Sequence, residues 1–162
     1  MTTDQLDTAI ADWSTVFKAE LEKHLRDLCP DKAYGFAIEL PSDFSNDGII
    51  SLIAKTQSAL ANLDDWEYVP NGKTFDETCD KITELYGKYH EPLEDESFYI
   101  DFGNRLYARI LTVVHDAVAS GEYPGITLWL LTLSDDVHPI LTEAATLLNA
   151  PSQHELAKSL IN

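Results

Sequence analysis

Hydrophobic residues recur along this chain with two different periods, and each period predicts a different secondary structure. Near the N-terminus they recur every three or four residues and therefore share one stripe of a helix. The residues of that stripe are Leu6, Ile10, Trp13, Phe17, Leu21 and Leu28. In residues 33–40 the hydrophobic positions alternate with small or polar ones, and residues 49–56 also favour a strand. We therefore predict a long helix followed by a β-hairpin.

The middle of the chain is mainly helical in pattern. A short helix is predicted over residues 57–63, and a longer one begins at a capping box formed by Thr74 and Glu77. The apolar face of the longer helix consists of Phe75, Cys79, Ile82, Tyr86 and Tyr89. Residues 98–120 predict a third helix, whose second half is apolar around most of its circumference. We therefore expect this helix to be the central, most buried one.

The last third of the chain adds one strand and two helices to the prediction. Residues 126–133 are almost continuously apolar, which is typical of a strand covered on both faces. Ser134 or Asp135 is expected to cap a helix, and Ser152 with Glu155 forms a capping box for a final short helix. The pattern gives about three strands among five or six helices. We predict a single α+β domain over residues 1–162, with a small, mostly antiparallel sheet packed by helices.

The charge of the chain argues against two kinds of partner. With 28 acidic and 11 basic residues, the formal net charge is −17. A surface of this sign repels nucleic-acid phosphates and anionic membranes. No apolar run approaches the roughly 18 residues of a membrane helix, and Asp4 and Asp7 stand where a signal peptide carries basic residues. We expect a cytoplasmic protein that binds neither nucleic acid nor membrane.

The sequence contains no motif that is typical of an enzyme or of a cofactor site. HExxH, GxSxG, GxGxxG and P-loop patterns are all absent. His24 lies on the apolar stripe of the first helix, where we expect a partly buried, hydrogen-bonded histidine rather than a metal ligand. Cys29 and Cys79 form no CxxC pair and are expected to be buried free thiols. We predict a non-enzymatic protein without cofactor or metal.

Two short segments could nevertheless collect a cation, and each has a structural alternative. Asp135, Asp136 and His138 could bind a metal, or they could form the first turn of a helix. Residues 43–50 begin like a calcium loop, but Ala54 stands where such a loop needs a bidentate glutamate. We favour the helix start and a hairpin turn, and we keep a metal-dependent enzyme as the weakest hypothesis.

Acidic residues are concentrated between residues 64 and 101, where 12 of them accompany only 3 lysines. Three of them, Asp76, Asp80 and Glu84, are spaced four residues apart and form what we call the acidic ridge of the predicted helix. Like charges at this spacing destabilise a helix by a few tenths of a kcal/mol per pair, so folding does not explain the ridge. Glu77 with Lys81 and Glu84 with Lys88 have the spacing of favourable ion pairs.

Acidic rows beside aromatic residues suit an interface for a basic protein, because complementary charge steers association and aromatic residues anchor it. The alternative is a solubilising surface, with Trp66 and Tyr68 in the core. The candidate partner-binding residues are Asp64, Asp65, Trp66, Glu67, Tyr68, Asp76, Asp80, Glu84, Glu91, Glu94, Asp95 and Glu96.

The order of elements resembles that of a bacterial family of domains of unknown function. The resemblance covers about residues 6–148 and rests on the long first helix, the strand of residues 34–40, the second strand and the Trp66-Glu67-Tyr68 tract. Such domains are similar to the small acidic immunity proteins encoded beside polymorphic or contact-dependent toxins. The resemblance implies a non-enzymatic protein that binds and occludes a toxin domain, and it transfers no functional residue. The acidity of the chain favours a basic toxin domain as the partner. The second hypothesis is an adaptor that docks a partner on the apolar side of one helix.

Overall fold

The computed structural model describes residues 3–28, 33–45, 48–69, 75–89, 96–134 and 137–161. Within these ranges the chain forms five α-helices and one four-stranded sheet. The helices are α1 (Thr3–Leu28), α2 (Asp76–Tyr89), α3 (Glu96–Ala119), α4 (Pro139–Leu147) and α5 (His154–Leu160). The strands are β1 (Gly35–Glu39), β2 (Ile50–Ala54), β3 (Glu67–Tyr68) and β4 (Leu128–Thr132). The predicted α+β class is confirmed.

The sheet is mixed, with the strand order β3-β2-β1-β4. The pairs β1/β2 and β2/β3 are antiparallel, and β4 runs parallel to β1. The predicted hairpin of β1 and β2 is therefore confirmed. The chain passes through α2 and α3 before it returns as β4, which is the long crossover that a parallel pair requires. The strand missing from the prediction is β3, because two residues are too few to show a period.

Both faces of the sheet are buried. One face packs with α1, α2 and α3 into the main core, to which the sheet contributes Phe36, Ile38, Ile53, Trp129 and Leu131. The other face carries smaller residues and forms a second core; its members are Ala37, Leu52, Ala54, Ala59, Trp66, Leu128, Leu130, Ala145 and Ala157. The 3-10 turn Ser58–Ala61 and helix α5 cover this second face. All five residues of β4 are buried, as the continuous apolar run predicted.

Helix α3 begins two residues before the predicted start and ends one residue before the predicted end. Its buried positions lie between Phe102 and Val114 and belong to the main core. After Val114 the helix is only half-buried, and the side chain of His115 is 41% exposed.

The helices near the C-terminus begin differently from the prediction. Helix α4 is capped by His138, whose Nδ1 accepts a hydrogen bond from the backbone N–H of Ile140 at 3.1 Å. The predicted cap at Ser134 or Asp135 was wrong, because the helix begins four residues later, at Pro139. Ser152 lies inside a 3-10 turn, Pro151–Gln153, and gives α5 no capping hydrogen bond.

Candidate functional site

The acidic ridge lies on the exposed side of α2. Asp76, Asp80 and Glu84 are all exposed, whereas Thr78 and Ile82 are fully buried on the opposite side of the helix. No described Lys, Arg or His lies within 4.0 Å of a ridge carboxylate. The three charges therefore face solvent without a compensating cation in the described part of the chain.

Of the two ion pairs predicted on α2, one is formed. Lys81 Nζ lies 3.7 Å from Glu77 Oε1, as the spacing predicted. The predicted pair of Glu84 with Lys88 is absent from the described contacts, and Lys88 Nζ instead lies 5.3 Å from the centre of the Tyr89 ring. The ammonium is thus drawn toward an aromatic face, which leaves Glu84 as an unpaired member of the ridge.

Helix α2 is held in place by a carboxylate from α1. Glu20 accepts hydrogen bonds from the backbone N–H groups of Glu77 and Thr78, at 3.3 and 3.0 Å, and from the hydroxyl of Thr78. It therefore satisfies donors of the first turn that the helix itself cannot pair, and its charge opposes the positive end of the helix dipole. The indole N–H of Trp13 donates to the carbonyl of Thr78 at 3.0 Å. The ridge is thus presented on a fixed helix.

Cys79 lies beneath the ridge and is a structural thiol. Its Sγ accepts a hydrogen bond from the backbone N–H of Ile49 at 3.1 Å. Burial raises the pKa of the Cys79 thiol, and the negative charges of Glu20, Asp76 and Asp80 raise it further. A thiol held in its protonated form is a poor nucleophile, so Cys79 fits the predicted role of a free thiol that packs. Cys29 lies outside the described residues.

The segment before α2 supplies a second group of carboxylates. Asp64 and Asp65 are exposed in a 3-10 turn, Leu63–Asp65, that is capped by the side-chain oxygen of Asn62. Glu67 follows in β3, and its carboxylate lies 2.7 Å from Lys55 Nζ. Tyr68 is 58% exposed. This segment therefore places three carboxylates and an accessible aromatic ring on the surface.

Trp66 does not belong to this surface. Its side chain is only 5% exposed, and its indole N–H donates to the carbonyl of Ala59 at 2.9 Å. The ring lies so close to Gly35 that a Cβ there would be 2.5 Å from Trp66 Cη2. Trp66, a predicted partner-binding residue, is thus not accessible at the surface, because it anchors the acidic segment to the second core. The alternative that both aromatic residues lie in the core is confirmed for Trp66 and is wrong for Tyr68, whose side chain is exposed.

The remaining predicted surface residues lie around the start of α3. Glu96 is the first residue of α3 and is exposed. Glu91, Glu94 and Asp95 lie outside the described residues, as does Thr74 of the predicted capping box. The structure thus brings the ridge residues together on one helix and places Asp64, Asp65, Glu67 and Tyr68 at the end of the sheet that precedes it.

The candidate cation sites have other roles where they are described. His138 uses Nδ1 to accept from Ile140 and places Nε2 2.8 Å from Asn104 Oδ1, so both ring nitrogens are engaged. Asp43 accepts a hydrogen bond from the N–H of Ser45 at 2.8 Å in a local turn. Asp135 and Asp136, like residues 46 and 47 of the loop, lie outside the described ranges. Within those ranges no group of three His, Cys, Asp or Glu residues could hold a metal ion.

His24 is hydrogen-bonded, as its place on the apolar stripe predicted, and it is more deeply buried than expected. It is 5% exposed, and its Nε2 lies 2.9 Å from the hydroxyl of Ser51. Its ring packs against Phe36 and Phe75. Burial lowers its pKa to about 4, although Asp27 opposes that shift. His24 therefore links α1, β1, β2 and the start of α2 as a neutral side chain.

We take the ridge and the β3 segment as the two parts of the candidate partner-binding surface, defined by Asp64, Asp65, Glu67, Tyr68, Asp76, Asp80 and Glu84. Tyr68 pairs with Leu52 of the second core, so its side chain lies on the face of the sheet opposite α2. Glu20 was missed by the sequence reasoning, because nothing in its local pattern indicates that it caps a helix 57 residues away. In the described parts of the chain, no helix combines the length and apolar composition needed to span a bilayer. No protein-family model, curated protein or solved structure matches the chain.

Proposed function

We propose that this chain is a non-enzymatic, cytoplasmic immunity-type protein that binds and neutralises a basic toxin domain through the candidate partner-binding surface. The observation that carries the proposal is the acidic ridge. Asp76, Asp80 and Glu84 are exposed, and no described cation lies within ion-pair distance of them. The resemblance to acidic immunity proteins points to the same class of function.

The acidic ridge destabilises helix α2, and a feature that does not serve the fold is more readily explained by binding. Asp80 lies four residues from both Asp76 and Glu84, so each pair repels along the helix. Only Asp76 gains from its position in the first turn, near the positive end of the dipole. A basic partner would supply the missing counter-charges, speed association and disfavour acidic competitors.

Exposed Tyr68 supports the same proposal. Tyrosine is enriched at protein interfaces because its ring offers apolar area and its hydroxyl a hydrogen bond. Tyr68 is the most exposed aromatic residue among the large hydrophobic residues of the described surface, at 58%. Glu67 precedes Tyr68 in β3, so its carboxylate lies on the other face of the same edge strand.

Co-expression with the product of the neighbouring gene tests the proposal. We expect a stable complex with the wild-type chain, and we expect the triple variant D76N/D80N/E84Q to lose most of the complex while keeping its fold. A matched control, E122Q/E143Q/E155Q, removes the same number of exposed charges outside α2 and the β3 segment. Failure of every neighbour-encoded product to bind, or equal binding by both triple variants, would overturn the proposal.

A different surface supports the second candidate, an adaptor. Ile100 is 52% exposed on α3, and together with Tyr99 and His138 it lines a shallow pocket of about 110 Å³. An adaptor that docks its partner there would lose binding in Ile100→Ser and keep it in D76N/D80N/E84Q. The immunity proposal predicts the reverse pair of results in the same binding assay.

A further inference from the structure

We infer that the outer edge of the sheet at β3, with which no described strand pairs, is a strand-addition site that receives an extended basic segment of the partner. The inference rests on the proposed function for the basic character of that partner. It adds the mode of docking, in which backbone hydrogen bonds at Tyr68 complement the charges around it.

The pairing of β3 leaves one residue with both backbone groups turned outward. The N–H of Val69 donates to the carbonyl of Ser51 at 3.0 Å, and the register pairs Tyr68 with Leu52. In an antiparallel ladder, consecutive residues direct their backbone groups alternately toward and away from the partner strand. The N–H and C=O of Tyr68 therefore point away from β2, and no described residue bonds to them.

At the opposite edge of the sheet, a side chain satisfies the outward backbone groups of one residue, Trp129. At β4, Asn149 accepts a hydrogen bond from the N–H of Trp129 at 2.8 Å and donates one to its carbonyl at 2.7 Å. One carboxamide thus replaces the neighbouring strand, and it satisfies an outward donor and acceptor together. Another chain can pair with an open sheet edge. In this sheet, Asn149 bonds to the outward backbone groups of Trp129 in β4, and no described side chain does the same for Tyr68 in β3.

The negative charge around Tyr68 favours a basic segment as the added strand. Asp64, Asp65 and Glu67 border this edge, and Lys55 is the one described cation paired with them. A second copy of the chain would bring the same carboxylates to the junction, where like charges repel. An added strand of alternating basic and apolar residues would place ammonium or guanidinium groups near the carboxylates and an apolar side chain against the exposed Tyr68 ring.

Two substitutions of the same residue separate the backbone contribution from the side-chain contribution. Tyr68→Ala removes the ring and keeps the N–H, whereas Tyr68→Pro removes both. Because the N–H of Tyr68 does not bond to β2, proline at this position removes no hydrogen bond between β2 and β3. Retention of slow hydrogen exchange at the Val69 amide, which donates to Ser51, verifies that the ladder is intact. In complex with the neighbour-encoded protein, we expect Tyr68→Pro to bind about fivefold more weakly than Tyr68→Ala, the effect of one lost hydrogen bond.

A peptide probe tests the edge without the natural partner. The hexapeptide (Lys-Val)3 and the same peptide with every backbone nitrogen methylated carry equal charge, but only the first retains N–H donors for pairing. We expect the unmodified peptide to shift the Tyr68 amide resonance and to bind at least about fivefold more tightly than the methylated one. Equal affinity of the two peptides, with the Tyr68 amide unchanged, would overturn the inference.

The Tyr68 variants and the peptide probe together distinguish failure of this inference from failure of the proposed function. If the neighbour-encoded protein binds and Tyr68→Pro equals Tyr68→Ala, the strand-addition mode is wrong and the immunity proposal stands. If no neighbour-encoded protein binds but (Lys-Val)3 pairs at Tyr68, the edge is a docking site and the immunity proposal is wrong.

Discussion

Trp66 lies directly against the backbone of Gly35, and this contact determines which part of the acidic segment reaches the surface. A side-chain carbon at position 35 would approach Trp66 to 2.5 Å and Leu60 Cδ2 to 2.9 Å. With glycine there, the indole can enter the second core and hold the chain on both sides of it. Asp64, Asp65 and Tyr68 are consequently turned toward solvent.

The substitution Gly35→Ala should destabilise the protein by about 1–3 kcal/mol, because a fully packed core must shift to admit the methyl group. Gly87→Ala is the matched control. Gly87 is exposed in α2, and nothing lies within 4 Å of the added carbon, so alanine should stabilise the helix by up to about 1 kcal/mol. Urea denaturation at neutral pH measures both changes. Equal stability of the two variants would contradict the close packing of Trp66 on Gly35.

His24 predicts a loss of stability on mild acidification. Its pKa is about 4 in the folded chain and near 6.5 in the unfolded chain, so the unfolded state takes up a proton first as the pH falls. The free energy of unfolding should therefore decrease between about pH 6.5 and pH 4, by an amount on the order of 3 kcal/mol. Below pH 4 this contribution is constant, because both states are then protonated.

Comparison of two histidine variants isolates this effect from the titration of the many carboxylates. In His24→Gln the free energy of unfolding should fall less steeply between pH 6.5 and pH 4 than in the wild type. His115→Gln, at a half-exposed position, should keep the wild-type slope. Identical slopes for all three proteins would show that His24 is not buried as a neutral side chain.

At the scale of elements, the helix starts depend on side chains from distant or unexpected positions. Helix α2 is capped by Glu20 of α1, and helix α4 by His138. Replacing His138 by alanine should cost about 1 kcal/mol, because the N–H of Ile140 then loses its acceptor. His138→Asp should retain most of that stability, since aspartate is a good N-cap. Thermal and urea unfolding measure both variants, and equal losses would argue against a capping role.

Repulsion within the acidic ridge should lower the stability of helix α2. The double variant D80N/E84Q should raise the free energy of unfolding by a few tenths of a kcal/mol, because it removes the repulsion along α2 and leaves Asp76 near the helix dipole. Glu77→Gln should lower it slightly, since it removes the ion pair with Lys81. High salt should reduce both differences. A clear loss of stability in D80N/E84Q would mean that the ridge serves the fold.

The sequence was informative about elements whose residues repeat locally. The stripe that includes Leu6 and Phe17 predicted α1, and alternation around Phe36 predicted β1, because each period is contained within one segment. The same logic located the ridge on α2. Strand β3 was not predictable, since it exists only through its pairing with β2. The burial of Trp66 was equally hidden, because it depends on Gly35, which is distant in sequence.

At the scale of the whole molecule, the formal charge of −17 is distributed over surfaces of different character. Elsewhere on the described surface, some carboxylates are paired with cations: Asp7 and Asp101 both contact Arg105, and Glu22 lies 3.9 Å from Lys18. Others, such as Glu122 and Glu143, are exposed without a described cation within 4.0 Å, but they are not aligned on one helix face as the ridge residues are. The ridge has no such partners among the described residues. The proposed function therefore depends on the position of particular charges, beyond the total charge that keeps an acidic protein soluble.

The salt dependence of binding to the neighbour-encoded protein shows whether the ridge charges attract the partner. The dissociation constant should rise with salt concentration for the wild type and for E122Q/E143Q/E155Q. For D76N/D80N/E84Q it should be about tenfold or more higher at low salt and should depend less on salt, because the charges that attract the partner are gone. The same dissociation constant and the same salt dependence in all three proteins would contradict the account.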